Sequence, residues 1–186
     1  MTFSDSPKQA LIDHLRKHAV RTDGPFTLRS GETSSWYIDA RQTTFDGAGA
    51  SAVGAAVLEE VTDDVVAVGG MTMGADPIAV ATALVGARVG RPLKSFSIRK
   101  EAKDHGVGGR LVGPVGAGDR VVALEDTTTT GSALAEAIEA LRVEDVEVVK
   151  AVALVDRSGG VAAERMKSIE VEYVALVTPA DLGVKD

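Results

Sequence analysis

Between residues 121 and 140 an apolar run, Val121-Val122-Ala123-Leu124, meets two acids, Glu125-Asp126, then four threonines, Thr127 to Thr130, then Gly131-Ser132 and an Ala-rich segment. No other feature constrains the fold as much. A short apolar run reads as a buried strand and the Ala-rich run as a helix. A small-residue turn joining them directly is the strand-to-helix half of an α/β unit. The same alternation continues on both sides. Apolar spacing predicts a helix over 7–19, with Ser6 as N-cap and Pro7 at the first helical position. It then predicts a helix over about 48–61, a strand over 65–69, a helix over 76–88 and a strand over 93–98. After these come a strand at 120–124, a helix at 131–142, a strand at 146–155, a short helix near 160–167 and a strand at 169–177. Phe26 with Leu28, and Trp36 with Ile38, alternate with polar neighbours around Ser30-Gly31, which predicts two short strands in a hairpin-like arrangement. Strands alternating with helices predict a mainly parallel sheet covered on both faces. No repeat or linker divides the 186 residues, so they are read as a single domain.

Charge narrows the partners. Lys and Arg number 20 against 27 Asp and Glu, a formal net charge of −7. So acidic a chain is ill-suited to coating nucleic acid or an anionic membrane, which needs surplus cations. Val65 to Ala87 carries one charge, Asp76, in 23 residues, long enough to span a bilayer. Gly69, Gly70, Gly74 and Pro77 interrupt it, so it is read as a strand, a loop and a helix of a soluble protein. The absence of cysteine excludes disulfides, thiolate metal sites and Cys nucleophiles, and fits a reducing cytoplasm. Met1 to Asp5 shows no basic segment leading into an apolar core, so no signal peptide is expected.

Beyond the carboxyl ends of the strands in an open α/β sheet, ligands bind. A small-residue turn entering a helix there offers backbone N–H groups and the positive end of the helix dipole. With the Thr hydroxyls, the 127–132 turn suits a phosphate. It is not a Walker loop, because no Lys follows Gly131. Glu125 and Asp126 would repel a phosphate if aimed at it. They can instead accept hydrogen bonds from sugar hydroxyls or hold a cation that the ligand brings; standing alone, they would read as a capping acid and its solvated neighbour. From Lys94 to Arg110 there are five Lys/Arg and two Asp/Glu, so this segment is +3 and the remainder is −10. A basic island in an acidic chain suits a small polyanion such as pyrophosphate, although an isolated charge run is more often a solvated face. It opens into 106–118, where six of 13 residues are Gly. That stretch reads either as a disordered surface loop or as an active-site lid.

Taken together these segments resemble the type I phosphoribosyltransferases. Leu124-Glu125-Asp126-Thr127-Thr128-Thr129-Thr130-Gly131 resembles their motif for PRPP, phosphoribosyl diphosphate. Arg99-Lys100 with Lys103-Asp104-His105-Gly106 is more specifically similar to the orotate phosphoribosyltransferases. Phe26 to Gly31 with Tyr37-Ile38-Asp39 resembles that family's substrate segment, Gly69 to Pro77 its pyrophosphate loop, and Asp156-Arg157 its later acid-Arg pair. The resemblance covers about residues 7–183. It implies a parallel sheet flanked by helices, a small N-terminal hood over about 1–45 and a flexible Gly-rich lid over about 100–118. It implies that Glu125 and Asp126 bind the ribose hydroxyls, and that Thr127, Thr128, Thr129, Thr130, Gly131, Ser132 and Ala133 cradle the 5′-phosphate. Arg99, Lys100, Lys103 and His105 would neutralise the diphosphate, partly in the neighbouring subunit's site, which implies a homodimer. Phe26, Arg29, Thr129 and Arg157 would hold orotate. Mg²⁺ would be held mainly by PRPP and water rather than by protein ligands. Two positions depart from the family: Arg29 stands where many members have Lys, and Met73 where some have Lys. The second shifts pyrophosphate contacts toward the backbone of 72–75 and the lid.

The implied reaction joins orotate N1 to C1′ of PRPP and expels pyrophosphate. Catalysis would be electrostatic and positional, with Lys103 contributing most and a closed lid excluding water. Two other readings stand beside this one. A phosphoribosyltransferase for a purine-type base is disfavoured by Arg157 and the Phe26 segment. A PRPP-sensing regulator without turnover is disfavoured by a 6–21 helix too short for a helix-turn-helix and by the net charge. His14 and His18, four residues apart with no evident third ligand, are read as surface histidines. Trp36 is read as a packing residue, and Glu59-Glu60 with Asp63-Asp64 as a solvated helix end.

Overall fold

The computed structural model describes residues 6–27, 31, 33–103 and 109–185, the side chains of Ala102 and Lys103 excepted. Arg29, Asp104 and His105 lie outside the described residues. The chain opens with helix α1 (Pro7–His18), whose first turn is capped where the Ser6 hydroxyl accepts from Gln9 N–H at 3.3 Å. Four two-residue strands follow: β1 (Val20–Arg21), β2 (Phe26–Thr27), β3 (Thr33–Ser34) and β4 (Tyr37–Ile38). β2 pairs with β3, but β4 pairs with β1, so the expected partnership of the 26–28 and 36–38 segments does not form. Pairing with β1 buries Trp36 and Ile38 against α1, which a free hairpin could not do.

Helices α2 (Arg41–Thr44) and α3 (Gly47–Leu58) lead to strand β5 (Ala67–Met71), helix α4 (Ala75–Arg88) and strand β6 (Lys94–Lys103). Then come β7 (Gly109–Val112), β8 (Arg120–Thr128), α5 (Ser132–Val143), β9 (Glu147–Asp156), α6 (Val161–Ser168), β10 (Glu172–Val177) and α7 (Pro179–Leu182). Strands β5 to β10 form one sheet in the order β10-β9-β8-β5-β6-β7, with every neighbouring pair parallel except β6 and β7. β6 therefore runs past the predicted end at 98, and β7 returns beside it. The expected loop at 100–118 is in part strand. The charged residues of 99–103 hid that continuation, because one edge of a ladder needs no apolar alternation.

Period-two alternation sorts the strand side chains between the two faces. Val122 and Leu124 pack with Leu11, Val53 and Ile78 from α1, α3 and α4. Val121 packs with Ala137 and Leu141 of α5, and Ala123 with Leu134 and Ile138 of α5 and Met166 of α6. Successive crossovers leave β5 toward β6 and β8 toward β9, in opposite directions along the sheet. The order thus reverses between β5 and β8, and a crevice opens at their carboxyl ends.

The polar residues on the edges of this core are more engaged than the sequence suggested. His14 is not a surface histidine: its ring bonds Thr43 Oγ1 at 3.1 Å and Asp46 Oδ1 at 3.0 Å, tying α1 to α2 and α3. Of the acids after α3, Glu60 pairs with Lys150 at 3.3 Å, Asp63 with Arg91 at 3.2 Å and Asp64 with Arg120 at 2.8 Å. Only Glu59 remains a plain exposed acid. Partners more than 25 residues away in sequence leave no local pattern to read.

Candidate active site

At the switch point β8 delivers two carboxylates in succession. Asp126 continues the Val122–Leu124 row toward α4, and Glu125 continues the Val121–Ala123 row toward α5. The strand thus separates two adjacent charges that would otherwise repel. Asp126 accepts from Thr127 N–H at 2.8 Å and abuts the loop after β5. A Cβ at Gly74 would stand 2.7 Å from its Oδ1, so only glycine lets that loop approach. Both acids line a cavity of ≈ 320 Å³ whose other walls include Thr72, Ala75, Lys100, Ala133 and Glu136.

Burial dominates the electrostatics of the pair. It pushes the Glu125 carboxyl up to about 7, although a hydrogen bond from Thr128 opposes the shift; the charges of Asp126 and Asp156 add to it. Asp126 is raised for the same main reason, while Thr127 N–H and the nearby Arg41 guanidinium pull the other way. Arg41 is anchored by Asp39 at 2.7 Å. Glu125 Oε2 and, in the first turn of α4, Asp76 Oδ1 are buried with no hydrogen-bond partner among the described residues. Asp76 does accept from Thr72 Oγ1 at 2.7 Å through its other oxygen. Unsatisfied buried acceptors cost free energy unless something donates to them. Hydroxyl groups or a hydrated Mg²⁺ would do so, and hard oxygen donors of this kind fit Mg²⁺. No cluster of three or more His, Asp or Glu that could hold a metal occurs among the described residues.

The turn after the acids is closed from within. Thr128 is buried, and its hydroxyl accepts from Gly131 N–H at 2.9 Å. Gly131 has φ +71°, the left-handed conformation that glycine adopts without a Cβ penalty. As a glycine it offers α5 no side-chain cap, and the Ser132 N–H at the start of the helix donates instead to Thr130 Oγ1 at 3.4 Å. Thr129, Thr130 and Ser132 are exposed beside them. The structure thus brings the predicted residues 125–133 together.

The basic island is divided. Lys100 reaches the cavity wall. Arg99, its neighbour on β6, is half-buried, and its carbonyl accepts from Arg110 Nε at 2.7 Å. Arg110 also pairs with Glu136 on α5, neutralising a carboxylate on the cavity wall. The Lys103 side chain and His105 fall outside the described residues.

Residues expected around a base occupy a neighbouring position. Arg157 follows β9, its N–H donating to Thr128 O at 2.8 Å. Its guanidinium lies 3.8 Å from the centroid of the buried Trp36 ring, in cation–π geometry. Trp36 is therefore a packing residue that also seats Arg157. Phe26 is not on the cavity wall; its ring lies 5.8 Å from that of Tyr37 and 5.3 Å from the Arg21 guanidinium. Two-residue strands place it by tertiary contacts that no periodicity announces. Arg41 was missed as a site residue by motif reasoning, and Asp39 and Arg110, though they fall in the substrate segment and the basic island, carried no assigned role, because each reaches the site from a separate element. The one available signal was the Asp39–Arg41 spacing inside an otherwise apolar entry to α2.

The comparisons agree with this geometry. The family described as "Phosphoribosyl transferase domain" matches residues 61–184. The chain belongs to this family, and its fold and crevice are those of the type I phosphoribosyltransferases. An orotate phosphoribosyltransferase from Streptomyces avermitilis is 40% identical over 181 residues, covering 97% of this chain and 99% of that protein. The crystal structure of Mycobacterium tuberculosis orotate phosphoribosyltransferase with Fe(III) dicitrate superposes with a TM-score of 0.85 at 35% identity, covering 96% of this chain and 99% of that one. The same enzyme in complex with PRPP gives a TM-score of 0.80 at 31% identity, covering 96% and 99%. Within the family, the chain groups with the orotate phosphoribosyltransferases. No helix among the described residues is long and apolar enough to cross a membrane.

Proposed function

We propose that this chain transfers the 5-phosphoribosyl group from PRPP to N1 of orotate, giving orotidine 5′-monophosphate and pyrophosphate. The observation that carries the reading is the juxtaposition at the end of β8. Two carboxylates, one with a buried oxygen that has no partner among the described residues, stand directly before a turn that enters α5 with the exposed hydroxyls of Thr129, Thr130 and Ser132. Glu125 and Asp126 accept hydrogen bonds from the ribose 2′- and 3′-hydroxyls. Residues 127–133 cradle the 5′-phosphate. Arg157 pairs with the orotate carboxylate while Trp36 fixes its plane, with Thr129, Phe26 and Arg29 completing the base site.

Breaking the C1′–O bond develops positive charge on the ribose and negative charge on the departing diphosphate. Lys100, on the cavity wall, meets the diphosphate, and Arg99, Lys103 and His105 join it from the lid or from the partner subunit. Orotate N1 then bonds to C1′ and gives up its proton to pyrophosphate or solvent, as the electron pair of the broken bond leaves on pyrophosphate. When bound, Mg²⁺ supplies further neutralisation of that charge. The chain's own residues hold the ribose between its carboxylates and the turn, which keeps C1′ within reach of the base.

A homodimer belongs to the same reading. Val80 and Leu84 on α4 are 51% and 58% exposed, and Met73, in the loop before the helix, is 56% exposed. An apolar row of this kind on the helix next to the crevice suits a second copy. The cysteine-free sequence fits an enzyme of the cytoplasm.

The test is the absorbance change on mixing protein, orotate and PRPP, with Mg²⁺ and after its chelation. Turnover with orotate and Mg²⁺, and none with adenine, guanine or xanthine, is expected. Folded protein that turns over a purine base, or no base at all, overturns the assignment.

A further inference from the structure

Helix α6 lies off the cavity wall, yet it grips the turn that enters α5. Arg165 Nε donates to the carbonyl of Thr130 at 2.7 Å. Immediately after, a Cβ at Gly131 would stand 3.1 Å from Ala162 Cα and 3.3 Å from Arg165 Cδ. The turn is therefore clasped from two sides. The Thr128 hydroxyl takes one N–H from within, and Arg165 takes one carbonyl from outside.

α6 is itself anchored below the site. Ser158 Oγ accepts from Gly160 N–H at 3.2 Å and from Ala162 N–H at 3.0 Å, holding the start of the helix. Ser158 N–H donates to Asp156 Oδ1 at 2.6 Å, and Tyr173 OH donates to Asp156 Oδ2 at 2.8 Å. The chain of contacts thus runs from β10 and the end of β9, through α6, to the Thr130 carbonyl.

A carbonyl in an anion-binding turn is a liability, because its oxygen repels the anion if the peptide rotates inward. We propose that Arg165 is a positioning residue: by holding the Thr130 carbonyl outward, it keeps the turn's N–H groups aimed at the 5′-phosphate without touching the ligand. This rests on the reading of residues 127–133 as the phosphate cradle. The guanidinium acts here as a hydrogen-bond donor to a neutral oxygen, so geometry rather than net charge is what it supplies.

The test uses the full chain with Arg165→Met, Arg165→Gln and Arg165→Lys, binding ribose 5-phosphate or inorganic pyrophosphate in a calorimeter. Arg165→Met is expected to weaken ribose 5-phosphate about tenfold, as loss of one positioned hydrogen bond would. The KM for PRPP should rise in step, with kcat within twofold and pyrophosphate binding unchanged. Arg165→Gln, a neutral donor, should recover part of the loss. Unchanged ribose 5-phosphate binding in Arg165→Met overturns the role of Arg165 alone. Equal weakening of both ligands overturns it too, since that marks a general loss of structure. Full recovery by Lys with none by Gln overturns it in favour of direct charge. Wild-type protein that binds pyrophosphate but not ribose 5-phosphate overturns the reading of the turn itself, and the Arg165 proposal with it.

Discussion

Strand β8 lies between two parallel neighbours, β5 along 121–124 and β9 along its whole length, while β6 has β5 on one side and only the short β7 on the other. Their carboxyl ends flank β5 at the same crevice, and they present opposite chemistry. β8 ends in half-buried carboxylates and a turn whose Thr128 is buried while Thr129, Thr130 and Ser132 are exposed. β6 ends in long cations on the sheet margin, with Lys100 exposed. Under the proposed function, the difference follows from what each would bind. Sugar hydroxyls and a terminal phosphate need fixed acceptors and donors, and burial gives these their rigidity at the cost of raising both carboxyls. A departing diphosphate needs charge that can follow it, which flexible Lys and Arg side chains on an edge supply.

The comparison is broken most sharply at its basic end. Lys103→Ala should lower kcat about a hundredfold, the loss of one positioned charge of on the order of 3 kcal/mol. A near wild-type kcat in steady-state assay would remove Lys103 from the reaction.

At the acidic end, Glu125→Gln should raise the KM for PRPP roughly thirtyfold, as removal of a buried acceptor costing about 2 kcal/mol implies. The same variant tests the burial. A carboxyl displaced from 4.5 to about 7 costs on the order of 3 kcal/mol to ionise in the fold. Because its folded value lies above the unfolded one, the native state holds the extra proton between those two pH values. Stability is therefore favoured below pH 4.5 and declines as pH rises through 7. Urea titrations of the ligand-free protein from pH 5 to 8 should show that decline, and Glu125→Gln should flatten it.

Between the two ends, Arg157→Met should raise the KM for orotate about tenfold and leave that for PRPP unchanged, and Trp36→Leu should reproduce part of this by unseating the guanidinium. Initial-rate measurements varying each substrate separate the two. The smallest effect is expected at Glu136→Gln. It frees Arg110 from α5 and should change the KM for PRPP by only about threefold, the partial loss of one ion pair near the surface.

Legibility in the sequence followed the same division. The β8–turn–α5 unit could be read directly, because its strand, acids, threonines and glycine are contiguous and each has a local physical role. β6 beyond 98 could not, since its ladder carries charges where alternation would be sought. Of the four N-terminal strands, β2 and β4 were legible as strands, but β1 and β3 and the pairing of all four were not, since two residues apiece cannot encode them. His14 was read as exposed because its partners, Thr43 and Asp46, lie on other helices.

By itself, then, the sequence determined the α/β alternation, the place of the threonine-rich turn after β8 and the division of charge between two segments. These depend on neighbouring residues, and propensity, periodicity and capping act over a few positions. The tertiary structure alone decided that Asp126 faces Gly74, that Arg157 rests on Trp36, that Arg110 quiets Glu136 and that Arg165 holds Thr130. Each of those contacts joins elements distant in the chain. Their geometry exists only once the sheet order has reversed between β5 and β8 and both faces have been packed.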